Sequence, residues 1–92
     1  MRNAARVDAC QQQIISALRN VGVQVYYIKL PTDLLCSGGP LKNRNLLLEV
    51  KMPGEGLNNG QQAFWDRWPG EKAVAHTVDE ALSIVLGAEV LR

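Results

Sequence analysis

Near the amino terminus, apolar residues recur at helical spacing: Ile14, Ile15, Leu18 and Val21, followed by Gly22. That period predicts an amphipathic helix with Asp8 as its N-cap and Gly22 just past its end. The pattern then tightens. Val23, Val25, Tyr26, Tyr27 and Ile28 are β-branched or aromatic and close together, which predicts a strand that stops before Pro31. Asp33 to Cys36 begins a second strand, and Ser37-Gly38-Gly39-Pro40 is a turn. Asn45 to Lys51 reads as a third strand, and its Leu46-Leu47-Leu48 run suits a sheet centre covered on both faces.

Met52 to Gly60 holds a proline, glycines and asparagines in place of any period, so it predicts a loop. Asn58 can cap a helix carrying Gln61, Gln62, Phe64, Trp65 and Trp68, which Pro69-Gly70 ends. Lys72 to His76 is a short strand. Thr77-Val78-Asp79-Glu80 has the form of a capping box and opens a helix through Leu86 that stops at Gly87. The resulting order is helix, three strands, helix, strand, helix. It predicts an α/β fold: a mixed central β-sheet flanked by helices on both sides.

Composition narrows the class. Ninety-two residues suffice for a single domain, 1–92, with one core, and exclude a second. With 47% apolar and 21% charged residues, the chain is globular and neither disordered nor fibrous. Its apolar runs, such as Ile84 to Leu86, fall far short of the roughly 18 residues of a membrane span, and Met1 to Val7 has no apolar export segment. A soluble cytoplasmic protein is expected, with no membrane partner and no organic cofactor. Cys10 and Cys36 belong to no C-x-x-C pair, so they are read as buried thiols and not as zinc ligands or a disulfide framework. The net charge of +1 counts against a strongly basic nucleic-acid binder. Its distribution is uneven, however: between positions 29 and 51, Lys29, Lys42, Arg44 and Lys51 stand against only Asp33 and Glu49, which leaves room for a local basic face.

The candidate chemistry lies in Asp33 and in Glu49-Val50-Lys51. Period-two alternation puts Glu49 and Lys51 on one face of the third strand and Val50 on the other. If the strands from Asp33 and Glu49 are neighbours, two carboxylates and an ammonium converge. Paired carboxylates repel unless a cation sits between them, and magnesium is well served by such a pair together with waters and phosphate oxygens. The Val50 carbonyl is a further candidate ligand. A lysine there can hold or deprotonate an attacking water, while the metal lowers that water's pKa and offsets charge on a scissile phosphate. An acid, an apolar residue and a lysine in a strand also occur simply as a solvated face.

The pattern Asp33-Leu34-Leu35, a turn, then Leu46-Leu47-Leu48-Glu49-Val50-Lys51 resembles the core motif of the PD-(D/E)xK nuclease superfamily. Its continuation, Leu57-Asn58-x-x-Gln61-x-x-Phe64, then Ala73-Val74-Ala75, Val78 and Glu80-Ala81-Leu82, is similar to the small stand-alone VRR-NUC-type nucleases of phages and prophages. Val7-Asp8-x-x-Gln11 with Ile14-Ile15-x-x-Leu18-Arg19 resembles their first helix, so the likeness spans almost the whole chain. The resemblance implies a restriction-endonuclease-like αβββαβ core, dependence on Mg2+ or Mn2+, and hydrolysis of DNA backbones at branched structures such as Holliday junctions, by a homodimer in a bacterial host cell. Asp33 and Glu49 would be metal ligands, Lys51 the catalytic lysine, and Gln61 a helix residue facing the site; Lys29, Lys42 and Arg44 are the candidate DNA contacts.

Three departures stand out. Thr32 replaces the proline usual before the aspartate, with Pro31 one place earlier; Gln13 or a neighbouring glutamine stands where many relatives carry a metal-binding glutamate; and Ser37 to Arg44 is longer than the family's hairpin. Lys42 and Arg44 either lie against phosphate or solvate that loop. Among other residues, His76 reads as structural and Glu55 as solvated. Trp65 and Trp68 read as core or dimer contacts or as platforms for unpaired bases. Of Tyr26 and Tyr27, at most one is buried. The expected function is a metal-dependent, structure-selective endodeoxyribonuclease; the alternative is a DNA-binding protein on the same fold with a weakened metal site.

Overall fold

The computed structural model describes residues 4–90, with side chains over 8–87. Met1 to Asn3, part of the segment read for an export signal, lie outside the described residues. The elements are α1 (Ala4–Asn20), β1 (Gln24–Tyr27), β2 (Leu34–Ser37), a 3-10 turn at Gly39–Leu41, β3 (Asn45–Val50), α2 (Asn59–Arg67), β4 (Lys72–Ala75) and α3 (Val78–Val90). The strands form one sheet in the order β1-β2-β3-β4, antiparallel at the first two pairings and parallel between β3 and β4. The fold is therefore α/β with a mixed sheet. Among the described residues no helix is long and apolar enough to cross a membrane.

Burial alternates along the strands as a sheet with one packed face requires. Val25, Leu34, Cys36, Leu46, Leu48, Val50 and Ala75 point to one side and are buried against Ile14, Ile15 and Leu18 of α1 and Ala81 and Val85 of α3. Both long helices thus cover the same face, while the other is covered only in part, by α2 through Gln61 and Glu49. Leu35 and Leu47, on the other side, are only half-buried, and Tyr26 is 62% exposed. The consecutive leucines Leu46 to Leu48 reflect a face with partial cover, since α2 has no buried residue.

The helix ends depart from their sequence signals in instructive ways. Asp8 is not an N-cap: α1 already runs from Ala4, so Asp8 sits exposed inside it. At the other end Val23 N–H donates to Leu18 O and Gly22 N–H to Arg19 O, a Schellman closure that places Gly22 at φ 92°, where a side chain would be strained. Asn58 caps α2 as expected, accepting from the Gln61 amide while the Gln61 side chain accepts from the Asn58 amide. In the last helix Thr77 Oγ1 accepts from the Glu80 amide, but Glu80 reaches one residue further back, to the His76 amide. Gly87 does not end α3, which continues to Val90. Trp68 is the C-cap of α2, one place beyond the helix that was expected to include it.

Candidate active site

Asp33 and Glu49 meet because β2 begins only at Leu34, opposite Leu48, while β3 runs on to Val50. Leu47 N–H donates to Glu71 O, just before β4, and Lys51 N–H, just past β3, to Ala75 O of β4, so the alternate residues of β3 turn their amides toward β2. Leu48 is matched there by Leu34. One step further, Val50 has no strand partner, and the Asp33 carboxylate takes its place: Asp33 Oδ2 accepts from Val50 N at 2.8 Å. The favour is returned across the gap, since the Asp33 amide donates to Glu49 Oε1 at 3.2 Å.

The second oxygen of Glu49 faces α2 and Lys51. Gln61 Nε2 donates to Glu49 Oε2 at 2.8 Å, and Lys51 Nζ lies 3.8 Å from the same oxygen. Glu49 and Lys51 are each 4% exposed. Burial pushes the Glu49 carboxyl up to about 7; the Asp33 charge and a side-chain hydrogen bond between the two carboxylates push the same way, against Lys51 and the Asp33 amide. A carboxylate pair with one buried member is a place where a cation replaces a proton at low cost.

The donor set is compatible with a hard divalent cation. Asp33 and Glu49 supply carboxylate oxygens, and the Val50 carbonyl belongs to the same strand end. Among the described residues no cluster of three His, Cys, Asp or Glu forms, so such an ion would rely on this pair with waters and phosphate oxygens. Gln13 is exposed on α1, and the packed side of α1 lies against the opposite face of the sheet.

The chain matches no family model, no curated protein and no solved structure.

The remaining candidates divide. Lys29 and Lys42 are exposed, both at positive φ, 75° and 59°. Lys29 donates its amide to Asp33 O, so its turn abuts the site. Arg44 is engaged elsewhere: its guanidinium grips the Glu71 carboxylate through Nε, at 2.8 Å, and through a second nitrogen. That bidentate pair fastens the long loop to the start of β4. Thr32, directly before Asp33, is 1% exposed, and its hydroxyl donates to Leu34 O at 3.1 Å, holding the entry to β2.

Both tyrosines of β1 are exposed, Tyr27 by 57%. Trp65 is half-buried with Lys72 Nζ 5.9 Å from its ring centre, and Trp68 stacks on Phe64 at 5.6 Å while 43% exposed. Cys36 is buried and Cys10 half-buried, both as free thiols; burial pushes Cys36 up to about 11, which leaves it unreactive. Glu55 is not simply solvated. Its carboxylate accepts from the Met52 amide at 2.8 Å, and its main-chain oxygen lies 3.0 Å from His76 Nε2. The His76 and Glu80 pairing was missed in sequence, although a spacing of four across a helix start was its visible signal.

Proposed function

We propose that the protein is a metal-dependent endodeoxyribonuclease that hydrolyses phosphodiester bonds in branched DNA such as Holliday junctions, with Asp33, Glu49, Lys51 and Gln61 at its centre. The observation that carries this reading is the convergence of buried Glu49, half-buried Asp33, a buried lysine and a glutamine at one end of β3, beside a partly open sheet face. Asp33, Glu49 and the Val50 carbonyl would hold Mg2+ or Mn2+, which supplies a water of lowered pKa and charge compensation for the phosphate. The chain's own residues do the rest. The Asp33 amide and Gln61 fix the two oxygens of Glu49, so the carboxylate presents one orientation. Lys51, held beside Glu49, orients or deprotonates the attacking water and offsets developing negative charge.

Lys29 is an exposed cation whose turn abuts the site, whereas Lys42 is exposed at the far end of β2 and β3, where it would meet a DNA backbone only beyond the site. Arg44, paired with Glu71, shapes that surface instead of being its first contact. A homodimer would supply one site for each strand of a symmetric junction. The test is cleavage of labelled duplex, flap, single-stranded and four-way-junction DNA in Mg2+, Mn2+ or EDTA. Metal-dependent cutting, strongest on branched substrates, is the expected outcome. Junction binding without cutting in either metal would instead establish the binding-protein alternative.

A further inference from the structure

The segment 52–58 joins the two sides of the site, running from Lys51 to Asn58, the N-cap that Gln61 completes. His76 anchors it from outside. This residue follows β4 directly, next to Ala75, whose oxygen accepts from the Lys51 amide. Its Nδ1 lies 2.9 Å from Glu80 Oε1 and its Nε2 lies 3.0 Å from Glu55 O. Both neighbours are acceptors: Glu80 is a carboxylate that its bonds to His76 hold below the usual range, and Glu55 O is a main-chain carbonyl. A neutral imidazole has one N–H and one lone pair. Both contacts are therefore hydrogen bonds only when both ring nitrogens carry protons.

We propose that His76, as an imidazolium, is a clasp on the loop between Lys51 and Gln61, a positioning residue for the site, and that loss of one ring proton opens the clasp at Glu55. On deprotonation the remaining N–H stays with the Glu80 carboxylate, the stronger acceptor. The Nε2 lone pair then faces the Glu55 carbonyl, and the contact becomes repulsive. The charged groups that face the ring are Glu80 from α3 and Glu55 from the loop. From α1, Cys10 Sγ reaches only the main-chain oxygen of His76. The hydrogen bond to Glu80, then that to Glu55 O, raise the imidazole above its ordinary value, in keeping with this arrangement. The clasp rests on the nuclease reading only for its purpose; its existence can be tested without any substrate.

The experiment is an NMR titration of the full chain with 15N-labelled histidine, alongside amide exchange at Met52 and Glu55. Met52 N–H donates to Glu55 Oε1 and Glu55 N–H to Met52 O, so these amides report the loop. The expected result is a ring protonated on both nitrogens at pH 6, titrating above about 6.5. Protection factors at Met52 and Glu55 should fall about tenfold on its deprotonation, the loss expected of one charge-assisted hydrogen bond. Glu80→Gln should move the transition to lower pH. His76→Gln, whose amide can still donate to Glu55 O, should abolish it. A ring that is neutral at pH 6, or loop protection indifferent to the titration, would overturn the proposal. If the chain also cleaves DNA, kcat should fall through the same midpoint in the native protein and not in His76→Gln. Failure to cleave at any pH sinks the nuclease reading alone, because the spectra decide the clasp independently.

Discussion

Glu49 is the residue at which folding and the proposed chemistry conflict most. Its carboxylate is buried beside that of Asp33 and reaches a pKa of about 7, above the ordinary 4.5. Between these values the folded chain holds a proton that the unfolded chain releases, so stability is highest below about 4.5 and declines as pH rises to about 7. In EDTA, the melting temperature of the native protein should therefore fall from pH 5 to pH 8 more steeply than that of Glu49→Gln. Mg2+ should stabilise the native protein more at pH 8 than at pH 5, because a cation takes the proton's place. Equal slopes in the two proteins would show that Glu49 does not titrate in this window. Asp33, Glu49 and Lys51 were legible in sequence because alternation and a short apolar strand placed them. The hydrogen bond that the unmatched Val50 amide donates to the Asp33 carboxylate was not, since it depends on β2 starting only at Leu34, opposite Leu48. Nor was the role of Arg44, whose partner Glu71 is 27 positions away.

At the scale of elements, the succession of helices and strands along the chain was readable from periodicity, whereas several boundaries, the order of strands in the sheet and the faces were not. Gly87 illustrates why. A glycine late in a helical pattern signals a C-cap, yet α3 continues to Val90, and a Cβ at Gly87 would meet no atom within 4 Å. Gly87→Ala should raise stability in a denaturant titration by about 0.5–1 kcal/mol, the helix penalty of glycine over alanine. Destabilisation would mean that the helix ends there after all. Gly39 is the opposite case. It has φ 54°, and a Cβ would lie 2.7 Å from the carbonyl carbon of Gly22, where the turn after α1 meets the turn before β3. Gly39→Ala should cost on the order of 2 kcal/mol or more by the same titration. The double-glycine signal was visible in sequence; the contact with Gly22 that explains it joins two separate turns.

Across the whole molecule, α1 and α3 share one face of the sheet and α2 stands over the other, fastened by Gln61 to Glu49 and by Lys72 to the Trp68 carbonyl. The apolar triplet in β3 suggested cover on both sides because burial of Leu46 and Leu48 and half-burial of Leu47 look alike in sequence. With a net charge of only +1, the proposed DNA binding would have to draw on local cations. Lys29→Ala and Lys42→Ala should each lower the salt dependence of junction binding, measured in EDTA, by about one unit of slope. An unchanged slope would remove those lysines from the interface.

The most direct test of the central claim is single-turnover cleavage of a four-way junction in Mg2+ by the native chain, Asp33→Asn and Lys51→Ala, with junction binding measured in parallel. The account predicts metal-dependent cleavage by the native protein and a loss of about a hundredfold or more in both variants, with binding retained. Cleavage that survives both substitutions, or is indifferent to EDTA, would contradict it.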